Sequence, residues 1–110
     1  LQSLVNGKLT SVETGVTIMS GMNCGTPSSD SWPYHAAGVD AAVSLNDEQA
    51  RLALASLHNL DVDSGPCGAA TLAGVSEALS TEERRNALGI NGSSVIVLLS
   101  TEGRAANPQV

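Results

Sequence analysis

The pentapeptide VIVLL, residues 95–99, lies between a turn-forming GSS at residues 92–94 and a polar ST at residues 100–101. An unbroken apolar run of this length, bounded by turn residues, is typical of a strand covered on both faces in a parallel sheet. We therefore predict a central strand over residues 94–99. The fold class then depends on the elements that precede this strand.

A helix is predicted directly after Asn46, which can cap a helix whose first turn holds Asp47 and Glu48. Apolar residues at positions i, i+3, i+4 and i+7 give it one apolar face. This stripe consists of Ala50, Ala53, Leu54 and Leu57. We expect the helix to end near His58 or Asn59.

Two more helices are predicted between this first helix and the apolar run. One extends from about Cys67 to Leu79 and is apolar around much of its circumference, which indicates burial. The other extends from about Thr81 to Leu88, because Ser80 and Glu83 have capping-box spacing and Gly89 can stop a helix.

Two further strands are predicted at residues 16–19 and 39–45, which are β-prone or mostly apolar. Strands that alternate with helices indicate parallel pairing through right-handed crossovers. The prediction is an α/β fold, a partial three-layer parallel sheet with flanking helices. No linker divides the chain, so residues 1–110 are expected to form a single α/β unit.

The composition excludes several classes of function. The formal net charge is −6 and the five basic residues form no stripe, which disfavours nucleic-acid binding. No signal peptide or membrane-length apolar run is apparent, so we expect no membrane partner. The two cysteines have no metal-site spacing, so no metal site is predicted and a reducing, cytoplasmic setting is the default.

The pattern points to a candidate site at residues 100–103, because ligands of open α/β sheets bind outside the carboxyl ends of the strands. Ser100 and Thr101 offer hydroxyl groups there, although an ordinary exit from a strand explains them equally well. Residues 64–69 open a helix whose free N–H groups could face an anion or the edge of a cofactor. Any helix start would also favour Ser64 and Pro66 at these positions.

Three blocks of sequence resemble pyridoxal-phosphate (PLP) enzymes of fold type II, the tryptophan-synthase-β-like family. Residues 16–27, VTIMSGMNCGTP, are similar to a TIMAGLxCGxP stretch of the diaminopropionate ammonia-lyases. Residues 65–70, GPCGAA, are similar to GPSGAA, and residues 98–103, LLSTEG, are similar to LSTEG, with Asn107 and Pro108 following. The resemblance covers nearly the whole chain and places it in the C-terminal part of the family's large domain.

The resemblance implies a cofactor site and a reaction. Ser100 would hydrogen-bond the pyridine nitrogen of PLP, and a neutral hydroxyl there leaves that nitrogen largely unprotonated. The other implied cofactor-binding residues are Thr101, Gly21, Gly65 and Pro66. The implied parent enzyme is a homodimer that takes a small amino acid, 2,3-diaminopropionate, and gives pyruvate and ammonia by β-elimination.

The catalytic residues of the family lie N-terminal to the matching region, so none is predicted here. Lys8 is the only lysine, and it matches a variable surface segment of the family rather than the lysine that links to PLP. We therefore expect the chain to be inactive without the rest of its parent protein.

Two other functions remain open from the sequence. The serine/threonine dehydratases carry Glu at the position of Gly65, which favours the ammonia-lyases, but a dehydratase parent is the second hypothesis. The third is a free-standing α/β binding module with no cofactor. Cys67 replaces the family's usual Ser and is interpreted as a small packed residue.

Overall fold

The computed structural model describes residues 1–106, and every regular element in that part of the chain is helical. The helices are α1 (Gln2–Asn6), α2 (Trp32–Gly38), α3 (Asp47–Asn59), α4 (Pro66–Ala78) and α5 (Glu82–Ala87), with 3-10 turns at Ser20–Met22 and Arg104–Ala106. No strand and no sheet is present among these residues. The predicted α/β fold, with its partial three-layer parallel sheet, is therefore wrong.

Helices α3 and α4 pack against each other and form the core. Their facing side chains are small, with Ala50 and Ala69 completely buried, and small side chains let two helices approach closely. The buried apolar residues on the two helices are Ala50, Ala53, Leu54, Leu57, Ala69, Ala70 and Ala73. The apolar stripe predicted for α3 is thus the face that the structure buries.

Helix α3 begins with a complete capping box. The Asn46 side chain accepts a hydrogen bond from the Gln49 backbone N–H at 2.9 Å, and the Gln49 side chain accepts one from the Asn46 N–H at 2.9 Å. Two N–H groups that the helix leaves without backbone partners are satisfied in this way. The prediction of a helix capped by Asn46 and ending near Asn59 is confirmed.

Helices α4 and α5 also lie where the sequence predicts them, within about one residue at each end. The cap of α5 differs from the prediction, because Thr81 rather than Ser80 accepts the hydrogen bond from the Arg84 N–H, at 3.2 Å. Gly89 follows α5 with a φ of +67°, a left-handed conformation that favours glycine.

Residues 95–99 do not form the predicted central strand. Val95, Val97 and Leu99 are 89%, 77% and 72% exposed, where a central strand would be covered on both faces. A buried strand needs neighbours that pair with its backbone, and no such neighbour lies beside this run in residues 1–106. Ser100 therefore does not leave a buried strand, and the argument that placed a ligand site at a sheet edge does not apply.

The two other predicted strands are also wrong. Residues 16–19 are tied to the start of α3, where the Asp47 carboxylate accepts hydrogen bonds from Thr17 Oγ1 at 2.5 Å and from the Ile18 N–H at 3.2 Å. Met19 then enters the core beside Ala50. Residues 39–45 form no regular element and join no ladder within the described part of the chain.

Three further predictions bear on the chain as a whole. Neither α3 nor α4, nor any shorter helix in residues 1–106, has the length and apolar character to cross a membrane. Cys24 and Cys67 are both free thiols. Asn107 and Pro108, which extend the third block of resemblance, lie outside the described residues.

Candidate functional site

The start of helix α4 is joined to the segment that follows the exposed apolar run. We call residues 63–68 together with residues 100–104 the junction. Across it, the Gly65 N–H donates to the Glu102 carbonyl oxygen at 3.0 Å, and the Arg104 N–H donates to Asp63 Oδ1 at 3.0 Å. Residues more than 30 positions apart in sequence are therefore held together by backbone and side-chain hydrogen bonds.

Glu102 caps helix α4. Its Oε1 accepts a hydrogen bond from the Cys67 backbone N–H at 2.7 Å, and a carboxylate at this end also interacts favourably with the helix dipole. The sequence suggested that this helix start could receive an external anion or the edge of a cofactor. The structure places Glu102 there instead, so the Cys67 N–H is already used within the chain.

Ser64 and Ser100 form the polar centre of the junction. Their Oγ atoms are 3.0 Å apart, and Ser64 Oγ also donates to the Gly65 carbonyl oxygen at 3.1 Å. Ser64 is completely buried, whereas Ser100 is exposed. The Ser100 hydroxyl is thus directed to a buried partner, although the residue as a whole is exposed.

His58, at the end of α3, is hydrogen-bonded to the backbone of Ser64. Its Nε2 lies 2.9 Å from the Ser64 carbonyl oxygen, and because a carbonyl oxygen can only accept, this hydrogen bond requires a proton on Nε2. The hydrogen bond ties the core helix pair to the junction.

Two glycines allow the junction to close. A Cβ at position 68 would overlap Ser100 Oγ and lie 2.6 Å from Ser64 Oγ. A Cβ at position 65 would lie 2.5 Å from Glu102 Oε1 and 2.9 Å from its Cδ. Glycine is required at both positions because there is no room for a side chain. A left-handed backbone is not the reason, since neither residue has a positive φ.

The first resembling block, residues 16–27, contacts the start of α4 through the Ser20–Met22 turn. That turn packs against α4, and a Cβ on Gly21 would lie 3.2 Å from Cys67 Sγ. Cys67 is half-buried beside the Met19 cluster, in keeping with its interpretation as a small packed residue. The first block therefore contacts the second, and the second contacts the third.

Comparison of the chain with protein-family models, curated proteins and solved structures finds no match.

The five residues predicted to bind the cofactor divide into two groups. Ser100, Thr101 and Gly21 are exposed and accessible to a ligand. Gly65 and Pro66 are buried within the junction, so they shape the site without presenting a surface. A groove of about 520 Å³ between α3 and α4 is lined by none of the five.

The residues predicted to bind the cofactor do not include Ser64, Gly68 or Glu102, although all three lie in the two segments, residues 64–69 and 100–103, that the sequence singled out. Ser64 looked like an ordinary helix-start residue, yet Gly65 is the N-cap of α4 and the Ser64 hydroxyl turns to Ser100 instead. Gly68 and Glu102 lie inside the resembling blocks and Ser64 directly precedes one, and this is the sequence signal that could have pointed to them. The contacts of Ser64 and Gly68 with Ser100 are long-range, as is the contact of Glu102 with Cys67, and no local pattern indicates them.

Proposed function

We propose that this chain forms the side of a cofactor site that meets the pyridine nitrogen, in a PLP-dependent ammonia-lyase that acts on 2,3-diaminopropionate. The observation that carries the proposal is the meeting of the three resembling blocks, residues 16–27, 65–70 and 98–103, around the start of α4. Ser100, the residue implied to meet the ring nitrogen, lies at the exposed side of this cluster.

The groups at the junction suit a neutral pyridine nitrogen. The hydroxyl groups of Ser64 and Ser100 are uncharged, and the carboxylate of Glu102 is directed to the Cys67 N–H. Ser100 would hydrogen-bond the nitrogen without supplying the negative charge that stabilises a protonated ring. PLP, when bound, supplies the electron sink for removal of an α-proton and loss of a β-substituent.

The structure of the junction favours the ammonia-lyases over the dehydratases. The dehydratases carry Glu at the position of Gly65, whereas a side chain at that position here would overlap the Glu102 carboxyl group. A second carboxylate would also have to share the space with the first, which is electrostatically unfavourable. Glycine at position 65 is therefore what leaves room for the Glu102 side chain.

The rest of the proposed enzyme is assigned to other parts of its chain. Lys8 is the only lysine of the 110 residues and belongs to none of the three resembling blocks. In this proposal a longer, cytoplasmic and homodimeric protein supplies the lysine that links to PLP and the groups that move protons. Elimination of the β-amino group and subsequent hydrolysis then release pyruvate and two molecules of ammonia per diaminopropionate.

The direct test is an assay of the full-length protein that contains this chain, supplied with PLP and one amino acid at a time. We expect pyruvate and ammonia from 2,3-diaminopropionate and little product from serine or threonine. Products from serine and threonine but not from diaminopropionate would identify a dehydratase. Absence of product from all three would leave the binding module as the better explanation.

A second test uses the 110-residue chain alone. The chain is mixed with PLP, reduced with borohydride and mapped by peptide mass spectrometry. We expect only weak, unselective labelling, because Lys8 is exposed and belongs to none of the resembling blocks. Stoichiometric, selective labelling of Lys8 would contradict the proposal.

A further inference from the structure

The turn at residues 91–94 begins with one of the two Asn-Gly pairs of the chain, Asn91–Gly92, and the other pair is Asn6–Gly7. In such a pair the backbone nitrogen of the glycine can attack the side-chain carbonyl of the asparagine, because glycine has no side chain to obstruct the approach. The two pairs are chemically the same. A difference in their reactivity therefore comes from their surroundings.

The side-chain carbonyl of Asn91 is hydrogen-bonded twice by Ser93. Asn91 Oδ1 accepts the Ser93 backbone N–H at 2.9 Å and the Ser93 hydroxyl at 2.7 Å. The ring that the first of these bonds closes contains both Asn91 Cγ and the Gly92 nitrogen, so the turn keeps these two atoms close. Two donors on Oδ1 also stabilise the negative charge that this oxygen gains when a nucleophile adds to Cγ.

The other reacting groups of the Asn91–Gly92 pair are unrestrained. Residues 91–93 are exposed, and a Cβ placed on Gly92 would meet nothing within 4 Å. Within residues 1–106, neither the Gly92 N–H nor the Asn91 side-chain NH₂ donates a hydrogen bond. The nucleophile is therefore available to Cγ, and the leaving amino group is open to water.

The Asn6–Gly7 pair has the opposite surroundings. Asn6 is the last residue of α1, and the Gly7 N–H donates to the Leu4 carbonyl oxygen at 3.3 Å. The Asn6 side-chain NH₂ donates to Thr10 Oγ1 at 3.1 Å. The nucleophile and the leaving group are thus both hydrogen-bonded at Asn6, whereas the described part of the chain engages neither at Asn91.

We propose that Asn91 is a self-modification site, at which the Gly92 nitrogen closes a succinimide with assistance from the two Ser93 donors. The bond from Gly92 N to Asn91 Cγ forms, the Cγ–Nδ2 bond breaks, and Nδ2 leaves as ammonia with the proton of the Gly92 N–H. Water then opens the imide at either carbonyl and gives aspartate or isoaspartate. Either product places a negative charge within residues 86–101, which contain no charged residue, and directly before the exposed apolar run. The modification is independent of any cofactor.

The test incubates the 110-residue chain at mildly alkaline pH and follows both Asn-Gly peptides by mass spectrometry. Protein isoaspartate methyltransferase with labelled methyl donor detects the isoaspartate. In the folded chain we expect Asn91 to deamidate about tenfold faster than Asn6, the effect of the hydrogen bonds that restrain Asn6 and Gly7. In urea the two rates should converge, since the dipeptide is the same.

Substitutions of Ser93 test the assistance from its hydroxyl. Ser93→Ala is expected to slow the reaction of Asn91 by about two- to tenfold in the folded chain, the size of one neutral hydrogen bond, and to have little effect in urea. Ser93→Thr keeps the hydroxyl and should stay closer to the parent rate than Ser93→Ala. Ser56→Ala, at an exposed position of α3, is the matched control and should leave the rate unchanged.

Three outcomes overturn the proposal. The first is an Asn91 rate in the folded chain that is no higher than that of Asn6. The second is a preference for Asn91 that persists undiminished in urea, because it would then come from the local sequence and not from the turn. The third is an unchanged rate in folded Ser93→Ala. If that variant does not fold, the comparison of the folded and the urea-unfolded parent chain decides by itself.

Discussion

The Glu102 carboxylate accepts the Cys67 backbone N–H at 2.7 Å, although the two residues are 35 positions apart. A residue on the segment after the exposed apolar run therefore caps a core helix. The cap links the stability of α4 to the position of Ser100, two residues before Glu102. Changes at position 102 should consequently affect both folding and the site.

Glu102→Ala is expected to destabilise the chain by about 1 to 2 kcal/mol, the cost of losing a helix cap. Glu102→Gln keeps an oxygen acceptor but loses the charge near the helix dipole, so about half of that loss is expected. Urea unfolding monitored by far-UV circular dichroism measures both. Glu13→Ala, at an exposed position, is the control. Equal stability of Glu102→Ala and the parent chain would show that the cap contributes nothing.

Gly68→Ala and Gly74→Ala form a matched pair on the same helix. Alanine exceeds glycine in helix propensity by about 1 kcal/mol, so propensity alone would stabilise both variants. A Cβ at position 74 meets only Val43 Cγ2 at 3.8 Å, an ordinary contact, whereas one at position 68 overlaps Ser100 Oγ. We expect Gly74→Ala to be stabilising and Gly68→Ala to cost about 1 to 3 kcal/mol in unfolding free energy. If both substitutions changed the unfolding free energy in the same direction, the Ser64 and Ser100 hydroxyl groups could not lie as close to position 68 as the structure places them.

Asp47 and Glu48 lie together in the first turn of α3, but only the Asp47 carboxylate holds the chain at Thr17 and Ile18. Alanine at either position removes a favourable charge from the helix start, and the effect of that loss should be similar. Asp47→Ala should cost about 1 to 3 kcal/mol more than Glu48→Ala, because hydrogen bonds to a charged group are lost as well. Chemical denaturation of the two variants gives the difference. Limited proteolysis should also cleave near residue 18 faster in Asp47→Ala than in Glu48→Ala.

Helix α3 could be predicted from sequence because its signals are local. The Asn46 and Gln49 pair and the apolar stripe lie within a few turns of one another, and each by itself fixes part of the helix. The strand predicted at residues 94–99 depended instead on partners elsewhere in the chain. An apolar run does not specify whether such partners are present, and here Val95 and Val97 remain exposed.

The candidate site likewise combines residues that the sequence indicates with residues that only tertiary contacts bring together. Ser100 was predicted from its place after the apolar run and through a resemblance that covers nearly the whole chain, and Cys67 was interpreted as a small packed residue. The pairing of Ser64 with Ser100 spans 36 positions and arises from the tertiary packing of α4 against the segment after residue 99. Gly68 lies in the first turn of α4, where the local sequence does not show why a glycine is needed. The reason becomes apparent only when Ser100 lies beside it and leaves no room for a side chain.

The exposed run provides a test of the corrected fold. Val97 is 77% exposed, so Val97→Thr should change the unfolding free energy by less than about 0.5 kcal/mol, as surface substitutions do. In a central strand the same change would bury a hydroxyl group without a partner, at a cost of about 1 to 3 kcal/mol. Leu54→Ala, in the core between α3 and α4, is the positive control and should cost about 2 to 5 kcal/mol. Thermal and urea unfolding of the 110-residue chain would compare the three proteins, and a core-sized loss from Val97→Thr would show that this run is buried in solution.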